Sequence, residues 1–155
     1  MISVALYKQL WDAVALSIGA SEAILVRTEG ELAQKIKSIE HANLLLIAVI
    51  PSSDTTARNN DNILENETII VYCVKKVSHK DQDDTDMMTD MVETQNAVTA
   101  VKDYLHDHAT DCDATFHNIL KKMDFNQMRT DPEYRYFECD GYSLSVPLTT
   151  NGFFN

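Results

Sequence analysis

His106, His108, Cys112 and His117 are the residues of this chain best suited to holding a metal or activating a nucleophile, and Asp107, Asp111 and Asp113 are interleaved with them. Imidazole, thiolate and carboxylate all ligate zinc. His108 and Cys112 stand four apart, so they share a face if one helix runs through both. His106 and His108 stand two apart and point to different sides of that helix. The stretch has no HExxH and no closely spaced cysteine pair. A polar helix end accounts for the same residues, with histidine near the C-terminal dipole and Asp111 capping the next helical turn. That is the main expectation, with no metal and no cofactor. A small metal-dependent enzyme built on His106, His108, Cys112 and His117 is the alternative.

Other motifs fall short in the same way. Asp81-Gln82-Asp83-Asp84-Thr85-Asp86 is similar to a calcium loop, but position six is Asp86 rather than Gly and position twelve is Val92 rather than Glu. A solvated helix entry fits it better. The chain has four glycines and no GxSxG, P-loop or GxGxxG. Cys112 is close to His108 and His117 in sequence, but nothing marks a lowered thiol pKa or an oxyanion hole. Tyr134, Tyr136, Phe137 and Tyr142 have only Arg135 among them, which suits packing of a sheet or a subunit contact better than stacking on bases. Met87, Met88 and Met91 read as core filler. No catalytic residue is expected. Phe153-Phe154 fits either a docking tag for a neighbouring subunit or packing on its own core.

The elements that would position these residues belong to one domain, 1–155. A chain of 155 residues with 45% hydrophobic content can bury a real core. Its 24 acidic and 13 basic residues give a net charge of −11, which argues against direct nucleic-acid binding and against an anionic membrane surface. Three cysteines, Cys73, Cys112 and Cys139, without CxxC spacing, suit a reducing cytoplasm. Lys8 and Asp12 interrupt the first apolar run, which makes a poor signal peptide, and Leu44 to Ile50 is too short to span a bilayer.

Ile2, Leu6, Leu10, Val14 and Ile18 recur every fourth residue, predicting a helix that stops at Gly19. Ala23–Val26 fits a short strand or a packed loop. Thr28 with Glu31 makes a capping-box pattern, opening a second helix to about Glu40. Leu44–Ile50 reads as a central strand covered on both faces, and Thr68–Val77 as a strong strand. Between them Ser52–Glu67 reads as a mobile surface loop, giving an extended antiparallel hairpin. The longest helix is expected from Thr85 to about His108, its apolar face broadened by Met88 and Val92. Asp111 or Asp113 caps a further turn through Phe116, Ile119 and Leu120. Met123–Arg129 fits a strand, and Asp131-Pro132 a turn. Asp140-Gly141 signals a hairpin between Tyr134–Cys139 and Tyr142–Leu148. Pro147 places the last strand, or at least its end, at an edge, and 151–155 is a short tail. The fold class is α+β, a mostly antiparallel sheet with helices packed on one face.

In this order the elements resemble those of small tail-completion or tail-terminator proteins of phages and prophages. The matching pieces are Leu6-Tyr7-Lys8-Gln9-Leu10-Trp11, the strands Leu44–Ile50 and Thr68–Val77 with their long connection, the helix through Val98 and Leu105, and Asp140-Gly141-Tyr142-Ser143-Leu144-Ser145-Val146. The likeness covers most of the chain, no one motif is diagnostic, and the helix around Thr28–Glu40 departs from the simplest pattern. The resemblance implies a non-enzymatic subunit of a ring that caps a tail tube or joins it to the head. Its partners would be copies of itself or other tail and head-tail proteins, and its destination a virion assembled in the cytoplasm. A monomeric acidic module that binds another protein is a further alternative.

Overall fold

A computed structural model describes residues 2–39, 43–57, 63–78 and 83–151. The fourfold apolar stripe becomes helix α1, Val4–Ile18, which buries Tyr7, Leu10, Trp11, Val14 and Ala15. Gly19 ends it in the left-handed region at φ 71°, its N–H turned back to the last carbonyls. Next come strand β1, Ala23–Val26, helix α2, Glu29–Lys37, and strand β2, Leu44–Val49. β1 lies parallel to β2, so the three form a βαβ unit, and the short apolar run at Ala23 is a strand. Thr28 Oγ1 accepts the Glu31 N–H at 3.2 Å, while the Glu31 carboxylate accepts the N–H of Arg27 at 3.0 Å. This is a capping box reaching one residue further back than usual.

Strands β3, Ser53–Ala57, β4, Ile63–Lys76, β5, Arg129–Tyr136, and β6, Cys139–Asn151, complete the sheet. The order is β1-β2-β4-β6-β5, with β3 also on β4, and every described pair except β1 with β2 is antiparallel. The stretch expected as a mobile loop around 52–67 is therefore largely strand. Val49 pairs with Ile70 and Ser53 with Glu67, so residues 50–52 face only 68–69. That one-residue bulge falls at Pro51, which has no N–H to give, and β3 resumes the ladder beyond it. Residues 58–62, with Asn59 to Asn62, lie outside the described residues, as do Asp81, Gln82 and Phe153-Phe154.

Alternation sorts side chains onto two faces. One carries Leu46, Ala48, Ile69, Val71, Cys73, Leu144, Val146 and Leu148, covered by α1 and by helix α3, Asp84–Thr110. The other carries Leu45, Ile47, Val74 and Cys139, covered by Leu32 and Ile36 of α2. The two long helices thus share a face, and the shorter α2 lies on the opposite one. β2 is central and buried on both sides, as its unbroken apolar run requires. α3 opens on Asp83, whose carboxylate accepts the Asp86 N–H at 2.8 Å. Its core face is Thr94, Ala97, Val98, Val101 and Leu105. Met88 and Val92 do not broaden that face; they are 58% and 51% exposed. Helix α4, His117–Leu120, follows as one short turn that buries Phe116 and Leu120.

Three expectations near the C-terminus are corrected, and a fourth holds in its narrower form. Met123–Arg129 is not a strand: Met123 makes a single bridge to Leu148, and Asp124 caps a 3₁₀ turn at Phe125–Gln127. Asp131-Pro132 lies within β5 rather than in a turn, which the edge position of β5 permits. Asp140-Gly141 lies within β6, paired with Lys75 and Val74, and the turn falls at Phe137-Glu138. Gly141 is required there by proximity, since a Cβ would lie 2.2 Å from the Cys73 carbonyl oxygen. Finally, β6 is interior, between β4 and β5, but β5 pairs no further along it than Ser145. Pro147 therefore lies where that flank of β6 is locally an edge, and its carbonyl accepts the Asp124 N–H at 2.9 Å. No described helix is long and apolar enough to cross a membrane.

Candidate functional site

The four sequence candidates are not brought together. His106 is exposed and stands edge-on to Phe125, ring centres 5.7 Å apart. His108 is stacked on Tyr104 at 3.8 Å, and its Nδ1 lies 2.9 Å from the Tyr104 carbonyl. This is a ring tied to its own helix. Burial raises the Tyr104 phenol above its usual range. Cys112 is exposed in the α3–α4 connection, and His117 starts α4, half-buried. Among the described residues no three His, Cys, Asp or Glu side chains converge as a metal site would require.

Buried charge is concentrated instead at the last two residues of β4, Lys75 and Lys76. Lys75 points toward α3, where its Nζ meets Asp90 at 2.7 Å and Glu93 at 2.9 Å. Burial lowers its pKa, but hydrogen bonds to the two carboxylates outweigh that and leave it raised. Lys76 points the other way and donates to the Ile36 and Ile39 carbonyls at 2.9 and 3.0 Å, closing the C-terminal end of α2. Beside them, the β5–β6 turn holds Arg135, Phe137 and Glu138 at φ 56°, 51° and 63°. Left-handed backbone at three non-glycine residues is strained. It is held by Asp140, whose carboxylate accepts the Arg135 N–H at 2.7 Å, by the Val77 N–H donating to the Glu138 carbonyl at 2.9 Å, and by Phe137, which lines a small recess with Ala33 and Ile36 of α2. These groups tie the sheet to both helical layers.

Among the described residues, a cleft of about 270 Å³ opens on the α2 side of the sheet. Val49, Ile70 and Tyr72 line it from β2 and β4, Val26 and Leu32 from β1 and α2, and Thr28 and Arg27 stand exposed at its rim. It exists because α2 has nine residues and its buried Leu32 and Ile36 cover Leu45, Ile47 and Val74 but leave Ile70 and Tyr72 half open. At the rim, the Arg27 backbone N–H and then Lys35 hold the Glu31 carboxyl below its usual range. Lys35 also donates to the Leu25 carbonyl at 2.6 Å. The Glu22 and Val26 carbonyls face β2, so that of Leu25 faces outward, and Lys35 guards the free edge of β1. No family model matches the chain, and no curated protein matches it significantly. The cleft residues come from four separate elements, so no motif announces them; the one sequence signal is an α2 too short for the sheet beneath it.

Proposed function

We propose that this chain is a non-enzymatic structural subunit that works by self-association or by docking on a larger assembly, of the kind the tail-completion resemblance implies. The observation that carries the reading is an arm of sheet. Described apolar core residues run to Ile69 on β4 and Leu148 on β6, Glu67 is buried beyond them, and the ladder continues to Leu64 with Asn151, where β3 widens it. Six residues of strand from Ile69 to Ile63 extend about 20 Å. Backbone edges of this kind are natural docking surfaces. Ring closure uses two different patches of each subunit, and an arm meeting a cleft supplies that asymmetry. A net charge of −11 suits a conduit that DNA passes without adhering, and the assembled site would be a virion formed in the cytoplasm.

Gel filtration coupled to light scattering tests this across a hundredfold concentration range. A mass rising to a fixed multiple of the monomer is expected. A monomer at every concentration refutes self-association.

A further inference from the structure

We propose that the cleft beside α2 receives the Phe153-Phe154 segment of a second copy of this chain, an inference that rests on the assembly reading above. The cleft is lined mainly by apolar side chains and is about 270 Å³ in volume. A dry cavity of about 150 Å³ is enough for benzene, so one phenyl ring fits with room for part of a second. The chain supplies two such rings side by side at positions 153 and 154.

Strand geometry sets Asn151, the last described residue of β6, far from the cleft of its own chain. Ile70, which lines the cleft, pairs with Ser145, whereas Asn151 pairs with Leu64, six positions further out. That separation is about 20 Å, and β6 is running away from the cleft where it ends. Phe154 is three residues beyond Asn151, a reach of about 10 Å even if the chain reversed at once. A second copy faces no such restriction.

Electrostatics favours the same segment. Two copies each carrying −11 repel, but Leu148 to Asn155 contains no Asp, Glu, Lys or Arg. Its side chains bring no charge to an acidic body. It would meet a rim that bears Arg27, whose guanidinium can lie over a phenyl face. Lys35 occupies the Leu25 carbonyl at the neighbouring edge of β1, which disfavours strand addition there and leaves side-chain insertion as the easier mode.

The test uses the F153A/F154A variant of the full chain, ¹⁵N-labelled, titrated with an unlabelled peptide of residues 146–155. Saturable amide shifts centred on Val26, Leu32, Val49 and Tyr72 are expected, with at least tenfold weaker binding for a peptide carrying both Phe→Ala changes. Light scattering should show wild type associating at concentrations at least tenfold lower than the variant. No shifts up to millimolar peptide, or shifts centred on the exposed Met88 and Val92, overturn the inference. If wild type nonetheless associates, the inference falls alone and the assembly reading stands. A wild type that stays monomeric above the peptide's Kd removes both.

Discussion

Replacing Gly141 by alanine should be among the most damaging small changes available, although it adds one methyl group. A Cβ there meets the Cys73 oxygen at 2.2 Å, the Val74 Cα at 2.8 Å and the Cys73 carbonyl carbon at 3.1 Å. All three are backbone atoms, and ordinary contact between non-bonded atoms begins near ~3.5 Å. β4 must retreat by about 1 Å, which stretches hydrogen bonds of ~2.9 Å beyond their working range. Losing two ladder bonds at roughly 1 kcal/mol each, with about 1 kcal/mol or more of strain, gives a cost of ~3 kcal/mol. Gly30→Ala is the control of opposite sign. Its nearest neighbour is Thr28 Oγ1 at 4.0 Å, and the residue is exposed in α2. Alanine there should gain about 0.5 kcal/mol. The single tryptophan, Trp11, is fully buried, so its fluorescence reports urea unfolding. With a slope of ~2 kcal/mol per molar urea, the Gly141→Ala midpoint should fall by about 1.5 M and that of Gly30→Ala should rise by about 0.25 M. A Gly141→Ala midpoint within about 0.5 M of wild type would refute the close-approach reasoning.

Burial pushes the Cys73 and Cys139 thiols up to about 12, whereas Cys112 is exposed, so native protein should release one equivalent with a thiol reagent at pH 8 and three in denaturant; three fast native equivalents would contradict this. Folded pKa values raised above unfolded ones, for these thiols as for Lys75, mean stability is fully present below the unfolded pKa and lost as pH rises through the folded one. The urea midpoint should therefore fall from about pH 8.5 upward, and a midpoint that climbs there argues against it. Asp90→Asn should cost about 1–2 kcal/mol by leaving Lys75 one carboxylate short, and Glu93→Gln less, because Glu93 is 50% exposed; denaturation curves showing the reverse order would sink the assignment. Glu138→Gly should raise stability by roughly 0.5–1 kcal/mol by relieving a left-handed residue, and calorimetry finding a loss would mean that the turn is not strained.

Much of the fold is legible because burial writes periodicity. The stripe of α1, the unbroken run of β2, the β-branched run of β4 and the Thr28 cap each declare their element, and the structure places them accordingly. β3 was not legible, since Ser53-Asp54-Thr55-Thr56-Ala57 carries no apolar alternation, and Thr55 and Thr56 were the faint signal. Asp140-Gly141 misleads for a different reason. The glycine serves the neighbouring strand rather than a turn, and the turn uses Phe137 and Glu138, residues no local rule would put at positive φ. Pro132 misleads because a strand may carry proline at an open edge, and edge position is a tertiary fact. As for the site, spacing in the sequence suggests a grouping of His106, His108, Cys112 and His117. The observed directions of those side chains depend on Tyr104 and Phe125, and on where the helix stops.

The last of the described strands in chain order lies inside the sheet. Until β6 has left the ribosome, β4 has no partner on that flank, and a row of Ile69, Val71 and Cys73 waits half-covered beside an open ladder. More than sixty residues, including all of α3, must emerge before closure. Nascent chains of this protein would therefore spend seconds as sticky intermediates, and ought to depend on chaperones during translation more than a domain of this size built by successive hairpins.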